Sequence, residues 1–244
     1  MIEKINTNPM TQLNMKKRKG IAIIVMLFVF CISSFAQMEV VKPDRFLPKF
    51  GLRAGLNIAN FHEKDNDGIC SDVYDPKIGF HAGIVVEIPL GKRFAVEPSI
   101  MVSTKGFQYY TEYEDTTYYQ EYNLYYLDIP IPVEVMLEIG IVKVFAAAGP
   151  YFGIGIGGNA YDESKTGGVK YEENDDKISW GDKDGLKSLD YGLTLGFGVE
   201  IKGFQLRFAY DLGLANISYD TENDLKQNNR VTRISLAYKF GLIK

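Results

Sequence analysis

The sequence predicts an all-β protein: an eight-stranded antiparallel up-and-down transmembrane β-barrel, preceded by a cleaved signal peptide. Three observations predict it. An apolar block near the N-terminus has the form of an export signal. Beyond it, eight segments alternate apolar and polar residues at period two. The connections between those segments alternate short and long. The composition agrees, since 24 Gly, 16 Tyr and 15 Phe in 244 residues suit many strands and tight turns. A formal charge of -4 gives no electrostatic footprint for nucleic acid. Two cysteines, Cys31 and Cys70, make no disulfide framework, and two histidines make no histidine-based transition-metal site.

The first element is the export signal. Residues 16–19 read KKRK, residues 21–33 read IAIIVMLFVFCIS, and SSFAQ follows. This is a basic region, an apolar region and a small-residue cleavage site. Ser34 and Ala36 take the -3 and -1 positions, so cleavage is expected after Ala36, with Met15 as the expected start. The apolar run falls short of the ~20 residues a spanning helix needs. Phe30 before Cys31 argues against a lipoprotein signal. Removing residues 1–36 takes away five basic residues and one acidic residue, which leaves the exported chain near -8. Residues 37–49 then form a short periplasmic segment and 50–244 the barrel.

The eight candidate strands run over 50–61, 77–88, 93–109, 120–137, 141–157, 187–200, 203–218 and 230–242. PLGK (89–92), EIG (138–140) and IKG (201–203) read as tight turns. The stretches 62–76, 110–119, 158–186 and 219–229 are long and polar. An even strand count with short turns at one end and long loops at the other is the plan of an outer-membrane barrel. It predicts termini and short turns in the periplasm and long loops outside the cell, and so an outer-membrane location. The third and fourth strands are the longest and are expected to project as a hairpin.

Facing decides which surface meets lipid. In the seventh segment Phe204, Leu206, Phe208, Tyr210, Leu212 and Leu214 oppose Gln205, Arg207, Ala209, Asp211 and Gly213. The third, fourth, sixth and eighth segments sort the same way. The charged faces also carry the small residues, as the narrow interior of eight strands requires. The apolar faces are bulky and end in aromatics: Phe50, Phe94, Phe204, Tyr238 and Phe240 toward one end, Phe80, Tyr125, Phe152 and Tyr191 toward the other. Such girdles mark membrane interfaces. The apolar face is therefore expected to contact outer-membrane lipid. A ligand-carrying soluble barrel would reverse this facing, and a two-sheet sandwich is the remaining alternative. Inward charges must pair, because a lone buried charge is costly. Arg53, Lys105, Arg207, Arg233 and Lys239 are expected to meet Glu87, Glu97, Asp128, Glu134, Glu200 and Asp211 in a plug of side chains.

Pro130 and Pro132 strain the fourth strand. Each lacks a backbone N–H, and residues two apart address the same neighbour, so a bulge or weakened seam is expected there. Pro98 and Pro150 raise the same question singly.

FGLRAGLNIANF (50–61), YYLDIPIPVEVMLE (125–138), AAAGPYFGIGIGG (146–158) and RISLAYKFG (233–241) resemble the outer-membrane β-barrel domain of the PorT-like family, common in the Bacteroidetes. The resemblance covers roughly residues 50–244. It implies an eight-stranded outer-membrane barrel, associates the chain with protein secretion, and carries over no catalytic residues.

Enzyme chemistry finds little footing. The exported part holds only His62 and His81, with no matched nucleophile visible in the sequence. Glu63, Asp65, Asp67 and Gly68 open like a calcium loop, but Tyr74 stands where the closing Glu belongs. Asp182, Asp184 and Gly185 form a similar fragment. GIGIGG (153–158) precedes no helix and fails the dinucleotide context. No enzyme, cofactor or metal is expected. Tyr109, Tyr110, Tyr113, Tyr118, Tyr119 and Tyr122 form a candidate extracellular contact surface, since exposed tyrosines make good contacts. The expected role is structural or interactive (surface recognition or support of secretion) for a monomer, with a protein partner at the outer loops or the periplasmic face. A narrow solute channel and a lipid-modifying enzyme are the rivals.

Overall fold

The computed structural model describes residues 47–64, 70–71, 74–167, 169–181, 186–218 and 226–241. They belong to one compact unit, residues 44–244. The expected signal peptide, residues 37–46, the acidic fragments at Asp65, Asp67 and Gly68 and at Asp182, Asp184 and Gly185, and the Cys70 side chain lie outside the described residues.

Among the described residues, twelve antiparallel strands form one sheet. They are β1 (Lys49–Lys64), β2 (Cys70–Ser71), β3 (Asp75–Pro89), β4 (Phe94–Val96), β5 (Ser99–Tyr113), β6 (Thr116–Pro130), β7 (Val133–Ile139), β8 (Val142–Thr166), β9 (Val169–Lys177), β10 (Leu189–Ile201), β11 (Phe204–Gly213) and β12 (Lys226–Gly241). They make eight staves, because β4 continues as β5 and β6 continues as β7. Going round, β1 pairs β12, then come β11, β10, β8, β6–β7, β4–β5 and β3, and β3 pairs β1 again. The ring closes unevenly. The β1–β12 ladder runs without a break from Lys49 opposite Gly241 to Lys64 opposite Lys226. The β3–β5 ladder shifts register between Pro76 and His81.

The two divided staves are where proline acts. The third stave breaks at Glu97–Pro98 and the fourth at Ile131–Pro132. A proline cannot donate to the ladder, but its carbonyl still accepts. Glu97 N–H donates to the Pro132 carbonyl, Ile131 N–H to that of Pro150 and Val86 N–H to that of Pro98, each at 2.9 Å. The seam is thus interrupted in its strands but bridged by backbone bonds.

Strand ends depart from the sequence expectation, mostly by being longer. The predicted loop 110–119 is strand up to a turn at Glu114–Asp115, where Glu114 takes a positive φ of 53°. The predicted loop 158–186 contains the end of β8 and all of β9. The seventh strand stops at Gly213, short of the expected 218. Alternation cannot find the added strand, because segments such as YEENDDK are polar on both faces.

The facing is unambiguous. Leu195, Phe208 and Leu236 are 54%, 37% and 67% exposed, whereas neighbouring Arg207 and Arg233 are 5% and 4% exposed. Apolar side chains coat the outside of the ring and ionised ones fill its axis, the reverse of a water-soluble barrel. Burying apolar area gains roughly 25 cal/mol per Å², so this coat is favourable only against hydrocarbon.

Candidate functional site

The axis is filled in layers. The first lies toward the short turns, around Glu97. Its carboxylate accepts from Arg53, from Arg207 at 2.7 Å, from Lys239 at 2.9 Å and from Gln205 at 3.1 Å. Arg207 also pairs with Glu134, and Lys239 with Glu87 and, at 2.5 Å, Glu200. Lys49 and Lys143 extend the network to Glu87 at 3.0 Å and Glu200 at 3.5 Å. Carboxylate oxygens of Glu87, Glu97 and Glu134 lie within 4.8 Å of one another. Arg53, Arg207 and Lys239 already address them, so the trio fits ion pairing rather than metal coordination.

The second ionic layer is built on Lys105 and Arg233. Lys105 Nζ lies 2.9 Å from both Asp128 and Asp190. Arg233 reaches Asp128 at 2.5 Å and Asp211 at 2.6 Å. Asn229 donates to Asp190 at 2.9 Å. The Lys105 ammonium also sits 4.4 Å from the centre of the Tyr126 ring. Every residue named for the inward network, Arg53, Glu87, Glu97, Lys105, Asp128, Glu134, Glu200, Arg207, Asp211, Arg233 and Lys239, is buried. Lys49, Lys143 and Asp190 are participants that the sequence reading omitted. Asp190 was legible as an inward position of the sixth segment.

Between the layers, one row of register brings Ser235, Gly55 and His81 into line on β12, β1 and β3. Gly55 has no side chain to separate the two, and a Cβ there would stand 2.7 Å from His81 Cε1. Asn57 Nδ2 donates to the Phe80 and Thr104 carbonyls, which fixes its amide and leaves Oδ1 to accept from His81 Nδ1 at 2.7 Å. His81 Nε2 then accepts from the Ser235 hydroxyl at 2.8 Å. Ser235, His81 and Asn57 have the bonding order of a hydrolytic relay, and the sequence reading did not find the serine. All three are sealed in the wall, however, at 3%, 1% and 0% exposure, which leaves a substrate no approach.

The end toward the long loops is different. Phe61, Phe107, Leu124, Tyr126, Ala215 and Ile217 form an apolar cluster packed by Tyr74, Tyr109, Tyr122, Ile178, Trp180 and Leu186. Phe107 stacks on Tyr122 at 4.7 Å, and Tyr126 meets Trp180 edge-on at 5.3 Å. Trp180 lies directly over Gly155, where a Cβ would come within 2.4 Å of its ring. The polar interior expected from the strands therefore ends under an aromatic cap.

Above the cap, β5, β6, β8 and β9 continue as a projecting sheet. Tyr110, Tyr113 and Tyr118 are exposed on it. Tyr109 and Tyr122 leave the candidate contact set, because they pack into the cap rather than face outward. Tyr119 donates to Glu121 at 2.5 Å, and Glu121 also accepts from Lys77 and Asn123. Burial works against the Glu121 charge, but these hydrogen bonds outweigh it and hold its pKa at about 2. Burial, with the bond to Glu121, pushes Tyr119 up to about 12. Glu63, at the head of the incomplete calcium-like fragment, accepts from Tyr74 and Gln227, each at 2.8 Å. The expected girdle residues Phe50, Phe80, Tyr125, Phe152, Tyr191, Phe204, Tyr238 and Phe240 are exposed on the apolar coat, and Phe94 is half-buried.

A family model described as an outer membrane protein beta-barrel domain matches residues 35–219. No curated protein matches the sequence. Among solved structures, the chain is similar to the attachment invasion locus protein Ail of Yersinia pestis (10% identity, 80% of this chain, 99% of that one, TM-score 0.36). It is also similar to OprG from Pseudomonas aeruginosa (11%, 80%, 97%, 0.41) and to Neisserial surface protein A (14%, 79%, 97%, 0.39). At these TM-scores the likenesses carry no functional inference.

Proposed function

The chain belongs to the outer membrane protein beta-barrel domain family and is a protein of the outer membrane; on that premise we propose that it is a small, monomeric, non-enzymatic barrel whose axis is closed and whose projecting sheet recognises a partner outside the cell. The observation that carries the closed axis is the stacking of two ion-paired layers beneath an aromatic cap. The sealed Ser235–His81–Asn57 relay supports a structural rather than hydrolytic wall. Single-channel recording of the purified chain in planar bilayers tests closure. The expected trace shows no stable steps, and reproducible unitary conductance would favour the narrow-channel reading instead.

Within the family we assign the chain to the PorT-like branch, on the segments at 50–61, 125–138, 146–158 and 233–241, and with it an accessory role in protein secretion. Comparing the secreted proteins of cells with and without the gene tests that role, and an unchanged set would remove it. The long loops face outward in this reading, so Tyr110, Tyr113 and Tyr118 are offered to a partner. Crosslinking in intact cells from the 110–125 hairpin should capture one. Cleavage after Ala36 would give a mature protein that begins at Gln37, which N-terminal sequencing reads directly.

A further inference from the structure

The lipid-facing stripe of β1 and β12 ends abruptly. On β1 the outward series Leu52, Ala54, Leu56, Ile58 gives way to Asn60. On β12 the series Tyr238, Leu236, Ile234 gives way to Thr232 and Arg230. Register sets Arg230 opposite Asn60 on β1 and Leu212 on β11, and Thr232 opposite both Ile58 and Tyr210. With His62 and Pro76 these residues line a cavity of about 360 Å³ on the outer side of the wall.

Arg230 is the unusual member. Its Nε is buried with no hydrogen-bond partner among the described residues, as are those of Arg53, Arg207 and Arg233, but those three have carboxylates on their guanidinium groups. Its Nη1 reaches the Tyr210 hydroxyl only at 3.5 Å. Inside the ring, Arg53, Arg207 and Arg233 each meet carboxylates. Arg230 meets none among the described residues, although it is half withdrawn from water. A partly desolvated cation without an anion is unfavourable, so among the described residues this pocket is one anion short. Its location narrows the choice of anion. It lies where the apolar stripe stops, the level at which acyl chains give way to headgroups, and it opens outward rather than into the axis. A guanidinium is planar and presents a fork that matches phosphate oxygens in pairs. The Tyr210 and Thr232 hydroxyls supply further donors around it.

We propose that this rim pocket binds the phosphate of an outer-leaflet glycolipid, with Arg230 making the paired contact and the acyl chains lying along Ile58 and Ile234. The assignment to the outer leaflet rests on the orientation given under the proposed function.

The test is calorimetric titration of the full chain, folded in zwitterionic detergent, with monophosphorylated lipid A, the same lipid dephosphorylated, and inorganic phosphate. Saturable binding of the phosphorylated lipid is expected, at least tenfold tighter than the dephosphorylated one. Arg230→Ala should weaken it at least tenfold, and Arg230→Lys should fall between, keeping the charge but losing the fork. Unchanged heat-modifiable migration on gels checks that the variants are folded. Equal affinity in Arg230→Ala, or for the dephosphorylated lipid, would overturn the proposal. So would displacement by inorganic phosphate at comparable concentration, which would make free phosphate the ligand. The titration does not depend on which end faces outward. An epitope inserted at the Glu114–Asp115 turn and detected on intact cells reads that separately.

Discussion

The two halves of the barrel's interior solve the same packing problem with opposite chemistry. Toward the short turns and through the middle, the axis is ionic: Glu97, Lys239, Arg207, Lys105, Asp128 and Arg233 bond across the ring. Toward the long loops it is aromatic, with Phe61, Phe107, Tyr126 and Trp180. The difference follows from what lies outside the wall at each height. Where hydrocarbon surrounds the ring, the outward positions must be apolar, and alternation leaves polar groups to the inside. Above that level the outside is water. The projecting sheet can then turn its polar groups outward, as Tyr119 and Glu121 do, and the inside is free to be apolar. The ionic half depends on matched charges and is intolerant of losing one. The aromatic half depends on shape and should yield more gradually.

Breaking the ionic half should give the largest effect. Lys105→Met leaves Asp190 without its cation and weakens the neutralisation of Asp128. Removing one partner of a buried pair costs about 3–5 kcal/mol, which denaturant unfolding in detergent should report. A change below 1 kcal/mol would mean that water enters this layer. Gly155→Ala probes the cap. The new methyl would press on Trp180, and overpacking costs about 1–3 kcal/mol. Because Trp180 is the chain's single tryptophan, its emission should shift at the same time, and unchanged emission would show that Trp180 does not pack on Gly155.

Acid should affect the projecting sheet only slightly. Glu121 has a lowered pKa, so its contribution to stability is complete above the ordinary value of 4.5 and is lost as pH falls toward about 2. The pairing is partly solvated, so the loss should stay under about 1 kcal/mol. Comparing acid unfolding of the parent with Glu121→Gln checks the sign: the parent's advantage should fade below pH 4.5. Smallest of all, Tyr110→Ala and Tyr113→Ala should each move stability by no more than about 0.5 kcal/mol, while reducing crosslinked partner on cells. A large stability loss would return these tyrosines to a packing role.

The membrane-spanning part was legible because alternation there is enforced on both sides at once. Arg207 between Leu206 and Phe208 can point only one way, so the inward charges and the outward coat could be read directly from period two. Three things were not legible. The cap was hidden because Phe107 and Tyr122 look like any other aromatics beside a membrane interface, and only the register across β5 and β6 stacks them inside. The strand β9 was hidden because a sheet in water needs no alternation. The Ser235–Gly55–His81 row was hidden because it joins residues from three strands through a glycine, and nothing local marks such a row. The prolines lay between these cases: the interruption at Pro132 followed from its missing N–H, but the coincident break at Pro98 depended on which staves are neighbours.

In the membrane, the apolar coat meets lipid while charge fills the axis. Spin labels placed singly at Leu195, Phe208 and Leu236, each changed to Cys in a Cys31→Ser, Cys70→Ser background and reconstituted in vesicles, test it most directly. All three should relax readily with oxygen and poorly with a water-soluble nickel chelate. Strong relaxation by the chelate at these positions would contradict it.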